Sequence, residues 1–275
     1  MDTMTESSAQ AGHATGLDAY RPAEIARRIE AAGTAKTKLG FEPLAMLGAL
    51  AGAFIGFGAI FYIVIITGAG DGFGPARLLG GVAFSLGLIL VIVGGAELFT
   101  GNTLIIMARL DGRISTAALT KNWVIVFAAN LAGALALVVV IVAAGTLDLA
   151  GGAVAQTAAK VAEAKFALSP MAAFARGLLC NALVCLAVWL TFAARDVAGK
   201  VLAILWPITA FVALGFEHSV ANMFLLPLGL AAGAEGDIWS VVKNLVPVTL
   251  GNIAGGAGGV AGAYWACYLR GSGSE

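Results

Sequence analysis

Apolar residues gather into six blocks separated by short polar segments, at about 43–68, 78–108, 122–145, 170–192, 201–232 and 244–269. Crossing a bilayer takes roughly 20 apolar residues, so each block is predicted to be a membrane span. Two blocks are too long for one plain crossing, and each holds a polar interruption. In 78–108 it is Glu97-Leu98-Phe99-Thr100-Gly101-Asn102, and in 201–232 it is Gly215-Phe216-Glu217-His218-Ser219-Val220-Ala221-Asn222. An ionisable group at membrane depth costs roughly 2.5–3.5 kcal/mol, so such interruptions mark a pathway or a binding site. Ahead of the spans, residues 1–19 are rich in Ser, Thr, Ala and Gly and are expected to be disordered. From Pro22 the pattern Ile25, Arg27, Arg28, Ile29, Glu30 predicts a short amphipathic helix. It ends in Lys36 and Lys38, a basic edge suited to lipid headgroups.

An internal repeat sets the architecture. Lys121-Asn122-x-Val124-x-Val126-x-x-x-Asn130-x-Ala132-Gly133 returns as Lys243-Asn244-x-Val246-x-Val248-x-x-x-Asn252-x-Ala254-Gly255, an offset of 243 − 121 = 122. Glu97 and Asn102 return as Glu217 and Asn222, an offset of 217 − 97 = 120. Each half holds three spans, an odd number, so the second half enters the membrane from the opposite side. The expected fold is an all-α polytopic membrane protein of two inverted three-helix repeats, with spans 2 and 5 broken at mid-membrane. Paired broken helices point to a binding site near the midplane. The expected organisation is a tail at 1–40, a channel domain at 41–270 (repeats at about 41–146 and 168–270) and a short tail at 271–275.

Composition narrows the class. The 275 residues are 60% hydrophobic and 12% charged, about half the charge of a soluble domain. A net charge of zero gives no reason to expect nucleic acid as a partner. The three cysteines, Cys180, Cys185 and Cys267, lie in apolar blocks with no histidine close by, so neither disulfides nor a metal site is expected. The polar first forty residues argue against a cleavable signal peptide. Lys and Arg fall eleven on the side of the termini (Arg21, Arg27, Arg28, Lys36, Lys38, Arg109, Arg113, Lys121, Arg195, Lys200, Arg270) and five opposite (Arg77, Lys160, Lys165, Arg176, Lys243). The positive-inside rule then places both termini in the cytoplasm.

The chemistry rests on the breaks. Each frees backbone groups at membrane depth, tolerable only beside protein or a water-filled cavity. Each also creates a half-helix N-terminus, which attracts anions. Gly101, Ser219 and Ala221 are read as the small residues that let the backbone turn and approach a ligand. Asn102, Asn222, Thr100 and Ser219 are expected to cap freed backbone groups, and Glu97 and Glu217 to anchor the breaks by accepting backbone N–H bonds. His218, one of only two histidines, is the candidate pore residue, able to exchange a proton or hydrogen-bond an anion because its unperturbed pKa is about 6.5. The glycines Gly52, Gly56 and Gly58, and Gly255 to Gly262, are read as helix-packing positions. A coupled secondary transporter calls for more intramembrane carboxylates than Glu97 and Glu217. A neutral-solute channel is disfavoured by the lack of Asn-Pro-Ala triplets at the breaks. An enzyme is the least expected class, since no nucleophile or metal set surrounds His218, and no cofactor is expected.

These residues resemble the formate/nitrite transporter family. The carriers are Gly95-Ala96-Glu97-Leu98-Phe99-Thr100 with Asn102, Lys121-Asn122-Trp123 with Asn130, Asn181-x-x-Val184-Cys185-Leu186-Ala187-Val188-Trp189, Gly215 to Met223, and Asn244 to Asn252. The likeness covers about residues 40–270 and is closest to the formate channel branch. It implies a homopentamer of protomers with an aquaporin-like hourglass fold, one pore each, in a bacterial inner membrane. The implied pathway residues are His218, Thr100, Asn181, Lys165 as a vestibule lysine, and Glu217. Phe84 and Phe211 resemble an outer constriction, and Leu88, Leu98, Phe99 and Val184 an inner one. The implied solute is formate, moving in either direction with pH sensitivity; nitrite or hydrosulfide is the alternative, and a proton-coupled carrier of short monocarboxylates is the alternative from another class. Membrane lipid and further copies of the chain are the other expected partners.

Overall fold

The computed structural model describes residues 19–69 and 73–271. The predicted disorder over 1–19 therefore falls almost entirely outside the described residues, as do His13 and most of the C-terminal tail. The described residues are helical almost throughout. An amphipathic helix α1 (Pro22–Lys36) precedes α2 (Phe41–Ile66) and α3 (Phe73–Gly94). Four non-helical residues follow, then α4 (Phe99–Asn102), a tight 3-10 turn at Thr103–Ile105, α5 (Ile106–Leu110) and α6 (Thr116–Ala143). The second half begins with α7 (Ala153–Phe166) and α8 (Pro170–Ala193), then α9 (Val197–Ala213), a break, and α10 (Ser219–Ala231). It closes with α11 (Ile238–Ile253), a π-helical stretch at Ala254–Gly262 and α12 (Ala263–Tyr268).

Among the described residues five helical stretches are long and apolar enough to cross a membrane: α2, α3, α6, α8 and the continuous run Ile238–Tyr268; α9 and α10 are shorter apolar helices. Thus the fourth and sixth predicted blocks are continuous helices, the second and fifth are interrupted, and the N-terminal ends of most elements lie four to six residues earlier than hydropathy placed them. Ser115, Asp196 and Asp237 explain three of those starts, since each accepts a first-turn backbone N–H with its side chain; Ser169 caps α8 in the same way, at the start hydropathy gave it. A hydroxyl or carboxylate at a cap is polar, so it falls outside an apolar window while still fixing the helix start.

Glycines bring the long helices together. A Cβ on Gly58 would lie 2.6 Å from the Phe84 carbonyl, so α2 packs backbone to backbone on α3; Gly52 does the same for α2 on α6, meeting the Asn130 carbonyl. The packing reading of that motif matches these contacts. Helix α1 lies over the 3-10 turn, with Gly33 against Ile105, and buries Ile25, Ala26 and Ile29 with Met107, Trp189 and Leu269 in one cluster. Glu30 of α1 accepts from Arg113 Nε at 2.8 Å, in the α5–α6 turn. Desolvation, followed by the neighbouring Asp111, raises the Glu30 carboxyl above its usual range, against the pull of Arg113.

Candidate functional site

Each break begins at a glycine. Gly95 and Gly215 adopt left-handed φ values of 79° and 71°, and the following N–H reaches back to the Val91 and Phe211 carbonyls at 2.9 and 3.0 Å. This is the Schellman arrangement that ends a helix. The turning residue of the first break is therefore Gly95, and the expectation for Gly101 is corrected: Gly101 lies inside α4. The chain then runs extended through Leu98 and His218, at φ −105° and −107°, before helix resumes.

The two breaks share most of their bonds; one difference is that Lys36 Nζ also donates to Asn102 Oδ1 (2.9 Å), whereas Asn222 Oδ1 has no partner among the described residues. Glu97 pairs with Lys36 Nζ (2.9 Å) and accepts from Asn102 Nδ2 (2.8 Å). Glu217 pairs with Lys165 Nζ (2.8 Å) and accepts from Asn222 Nδ2 (2.7 Å). Asn102 and Asn222 also donate to Asn122 Oδ1 (3.0 Å) and Asn244 Oδ1 (2.7 Å). Asn130 accepts the Phe99 N–H (2.9 Å) and donates to the Gly48 and Glu97 carbonyls (2.7 and 2.9 Å). Asn252 accepts the Ser219 N–H (2.9 Å) and donates to the Gly177 and Glu217 carbonyls (2.8 and 3.0 Å).

Two expectations are corrected by this pattern. Asn102 and Asn222 do not cap: a helical side chain leans toward the N-terminus, and each meets the carboxylate five positions earlier. The glutamates accept side-chain donors, while the freed backbone groups go to Asn130 and Asn252. Both of those asparagines stood in the sequence repeat without a role. Lys36 was a missed site residue, read as facing lipid headgroups; it turns inward to Glu97. The signal was its spacing. Lys36 precedes the start of α2 by 41 − 36 = 5 residues, and Lys165 precedes the start of α8 by 170 − 165 = 5.

His218 and Thr100 join the two breaks. His218 is the N-cap of α10, its Nδ1 accepting the Ala221 N–H at 3.0 Å. An amide can only donate, so Nδ1 is bare, and a neutral ring carries its proton on Nε2. That Nε2 lies 2.9 Å from Thr100 Oγ1, so the ring donates and Thr100 accepts, leaving the threonine hydroxyl proton free to point at a solute. Thr100 is held from behind: its carbonyl accepts from Thr103 Oγ1 (2.7 Å) and Asn181 Nδ2 (3.2 Å). Asn181 Nδ2 also lies within hydrogen-bond reach of Thr103 Oγ1 (3.1 Å) and the Asn252 carbonyl (2.7 Å), contacts that tie the first break to the second half.

Two cavities lie at opposite ends of α3. One, of about 190 Å³, is lined by Arg77, Phe84, Lys165, Arg176, Phe211 and His218, among others. The other, of about 280 Å³, is lined by Lys36, Leu88, Glu97, Leu98, Asn102 and Lys200, among others. Phe84 and Phe211 meet edge to face at 5.5 Å between centroids, and Phe211 stacks on the His218 ring at 5.9 Å. Leu88 is one helical turn beyond Phe84, about 6 Å along the axis, so apolar walls face the cavities on either side of Thr100 and His218. Val184 is buried on α8 in the same core cluster as Leu98. The Phe99 ring packs on Phe127 and Trp123 of α6, at 5.0 and 6.3 Å. Among the described residues no group of three or more His, Cys, Asp or Glu could hold a metal ion.

Comparison with known proteins gives the family and the overall fold. The family model described as formate/nitrite transporter matches residues 23–266. The formate channel FocA of Escherichia coli K12 is 39% identical over 274 residues, covering 92% of this chain and 96% of that protein. A solved structure described as a pentameric formate channel with formate bound aligns with a TM-score of 0.78 at 41% identity, over 83% of this chain and 98% of its own. Another, described as an ion channel of the same family, aligns with a TM-score of 0.83 at 29% identity, over 89% and 98%.

Proposed function

The chain belongs to the formate/nitrite transporter family, and on that footing we propose that it is a homopentameric channel for formate and kindred small monovalent weak-acid anions. It is bidirectional and pH-sensitive, and it sits in a bacterial inner membrane with both termini cytoplasmic and residues 41–270 as the conducting unit. The observation that carries this reading is the 2.9 Å contact between Thr100 and His218, where two clamped helix breaks meet between two apolar walls.

The solute enters the cavity beside Lys165, whose ammonium spends one proton on Glu217 and keeps two for an anion. It passes Phe84 and Phe211 and meets the Thr100 hydroxyl. That hydroxyl is oriented as a donor because the His218 ring occupies its lone pair. A bare anion between apolar walls is expensive and a neutral acid far less so, so donors at this point stabilise the anion or assist its neutralisation. Leu88, Leu98, Phe99 and Val184 form the second wall. Acid acts on the same pair. A second ring proton can enter only at Nδ1, where it displaces the Ala221 N–H, so acidification uncaps α10 and changes the donor that Thr100 presents.

The test is formate flux into proteoliposomes across about pH 5 to 8, a range that spans the ordinary imidazole titration. Wild-type flux is expected to vary with pH, and His218→Ala to be slower by at least about tenfold and flat with pH. An unaltered pH profile in His218→Ala would sink the histidine mechanism.

A further inference from the structure

The Lys165 ammonium lies 2.8 Å from Glu217 Oε1, with the two side chains 15% and 4% exposed. To an ion several ångströms away the pair is close to neutral. The cavity it borders is still positive. Its lining holds Arg77, Lys165 and Arg176 against Glu217, which leaves 3 − 1 = 2 positive charges. That surplus sits on the two guanidinium groups.

Arg77, on the second turn of α3, is held in place. Its Nε donates to the Ala213 carbonyl at 2.7 Å, at the end of α9 where carbonyls lack helical partners. That bond carries its outer nitrogens across the turn of the second break: a Cβ on Gly215 would lie 2.7 Å from Arg77 Nη2. The Phe73 ring, 5.0 Å from Arg77 Cζ, is a second hold. Arg176 is on α8, and its backbone is fixed beside the same break because its carbonyl accepts the Glu217 N–H at 3.2 Å. Its exposed side chain has no hydrogen bond or ion pair among the described residues. Neither arginine is matched to a carboxylate among those residues, and a planar guanidinium fork fits a carboxylate better than an ammonium does.

We propose that Arg77 and Arg176 form an anion-docking site in the mouth beside the second break, which gathers small monovalent carboxylates before they reach Phe84 and Phe211. Lys165, its charge offset by Glu217, then contributes hydrogen-bond donors rather than net attraction. This rests on the channel reading above and names the residues that load the channel from this side.

The test uses the full-length protein in proteoliposomes, with formate uptake measured at several concentrations and ionic strengths. Surface charge of this kind changes capture by about 10-fold to 1,000-fold and is screened by salt. Arg77→Gln with Arg176→Gln is expected to raise the half-saturating formate concentration about tenfold and to flatten the fall of uptake with added salt. Lys160→Gln, an exposed α7 charge outside the cavity, should change neither. If the glutamine pair does not assemble, Arg77→Lys and Arg176→Lys, which keep charge but lose the fork, should hold the salt response and weaken capture only about two- to threefold. Unchanged half-saturation and salt response in the glutamine pair would overturn the proposal, and so would lysine variants with a flattened salt response. Wild-type protein that conducts no formate at all would instead overturn the channel reading beneath it.

Discussion

The buried ion pair of the second break lends itself to a quantitative test. Lys165→Met removes the ammonium from Glu217 Oε1 and leaves Asn222 as the remaining side-chain partner of a carboxylate that is 4% exposed. Stripping one partner from a buried pair costs about 3–5 kcal/mol, chiefly because a charge stays behind without compensation. Adding Glu217→Gln removes that charge, and the new amide oxygen can still accept from Asn222, so at least about 2 kcal/mol should return. The equivalent pair of the first break behaves differently, since the Lys36 side chain is 32% exposed. Water screens it, and its coupling to Glu97 should stay near 1 kcal/mol. The assay is reversible unfolding of the purified protein in mixed micelles of rising SDS fraction, followed by tryptophan fluorescence, for wild type, both single variants and the double variant. A cycle at Lys165 and Glu217 that is additive within about 0.5 kcal/mol would refute the claim that the pair acts as one unit.

Other consequences follow from the same geometry. Asn252→Ala leaves the Ser219 N–H and the Gly177 and Glu217 carbonyls without their partner; at roughly 1 kcal/mol or more each, unfolding in the same assay should shift by about 3 kcal/mol, and a shift below about 1 kcal/mol would contradict the pinning role. Gly256→Ala places a methyl among Thr103 Oγ1, Asn181 Nδ2 and Cys185 Sγ, the atoms behind Thr100, so formate flux should fall by at least about tenfold while the protein still folds, at a strain of about 1–3 kcal/mol. The raised Glu30 carboxyl makes the docking of α1 depend on pH. Its folded-state pKa lies above the ordinary value of 4.5, so its contribution is full below that value and is lost as pH rises through the folded pKa. Hydrogen exchange of α1 should therefore quicken as pH rises from about 4.5, after correction for the intrinsic rate, and Glu30→Gln should remove that dependence.

The chain shows its helices plainly because lipid-facing segments leave long apolar blocks, and the Lys-Asn and Glu-Asn repeats disclose two related halves. What it hides is which polar group satisfies which. Asn130 and Asn252 were visible in the repeat, yet their clasp on the breaks is a contact across 31 and 33 residues that no local spacing announces. Asn102 and Asn222 had the composition of caps, but a cap must precede its helix, and both stand inside theirs. Gly101 drew attention as the glycine beside the polar stretch, while the residue with positive φ is Gly95, hidden at the end of an apolar block. Lys36 was misassigned because a lysine ending an amphipathic helix ordinarily faces water or headgroups. Only the fold brings that helix end onto the break.

The central claim is tested most directly by uptake of formate, nitrite and hydrosulfide side by side, in wild type and His218→Ala, at about pH 7.5 and about pH 5.5, on either side of the ordinary imidazole pKa. The account predicts that formate moves fastest and that His218→Ala loses both most of the flux and its response to pH. Formate flux through His218→Ala equal to wild type at both pH values would contradict it, and equal rates for all three solutes would remove formate as the preferred one.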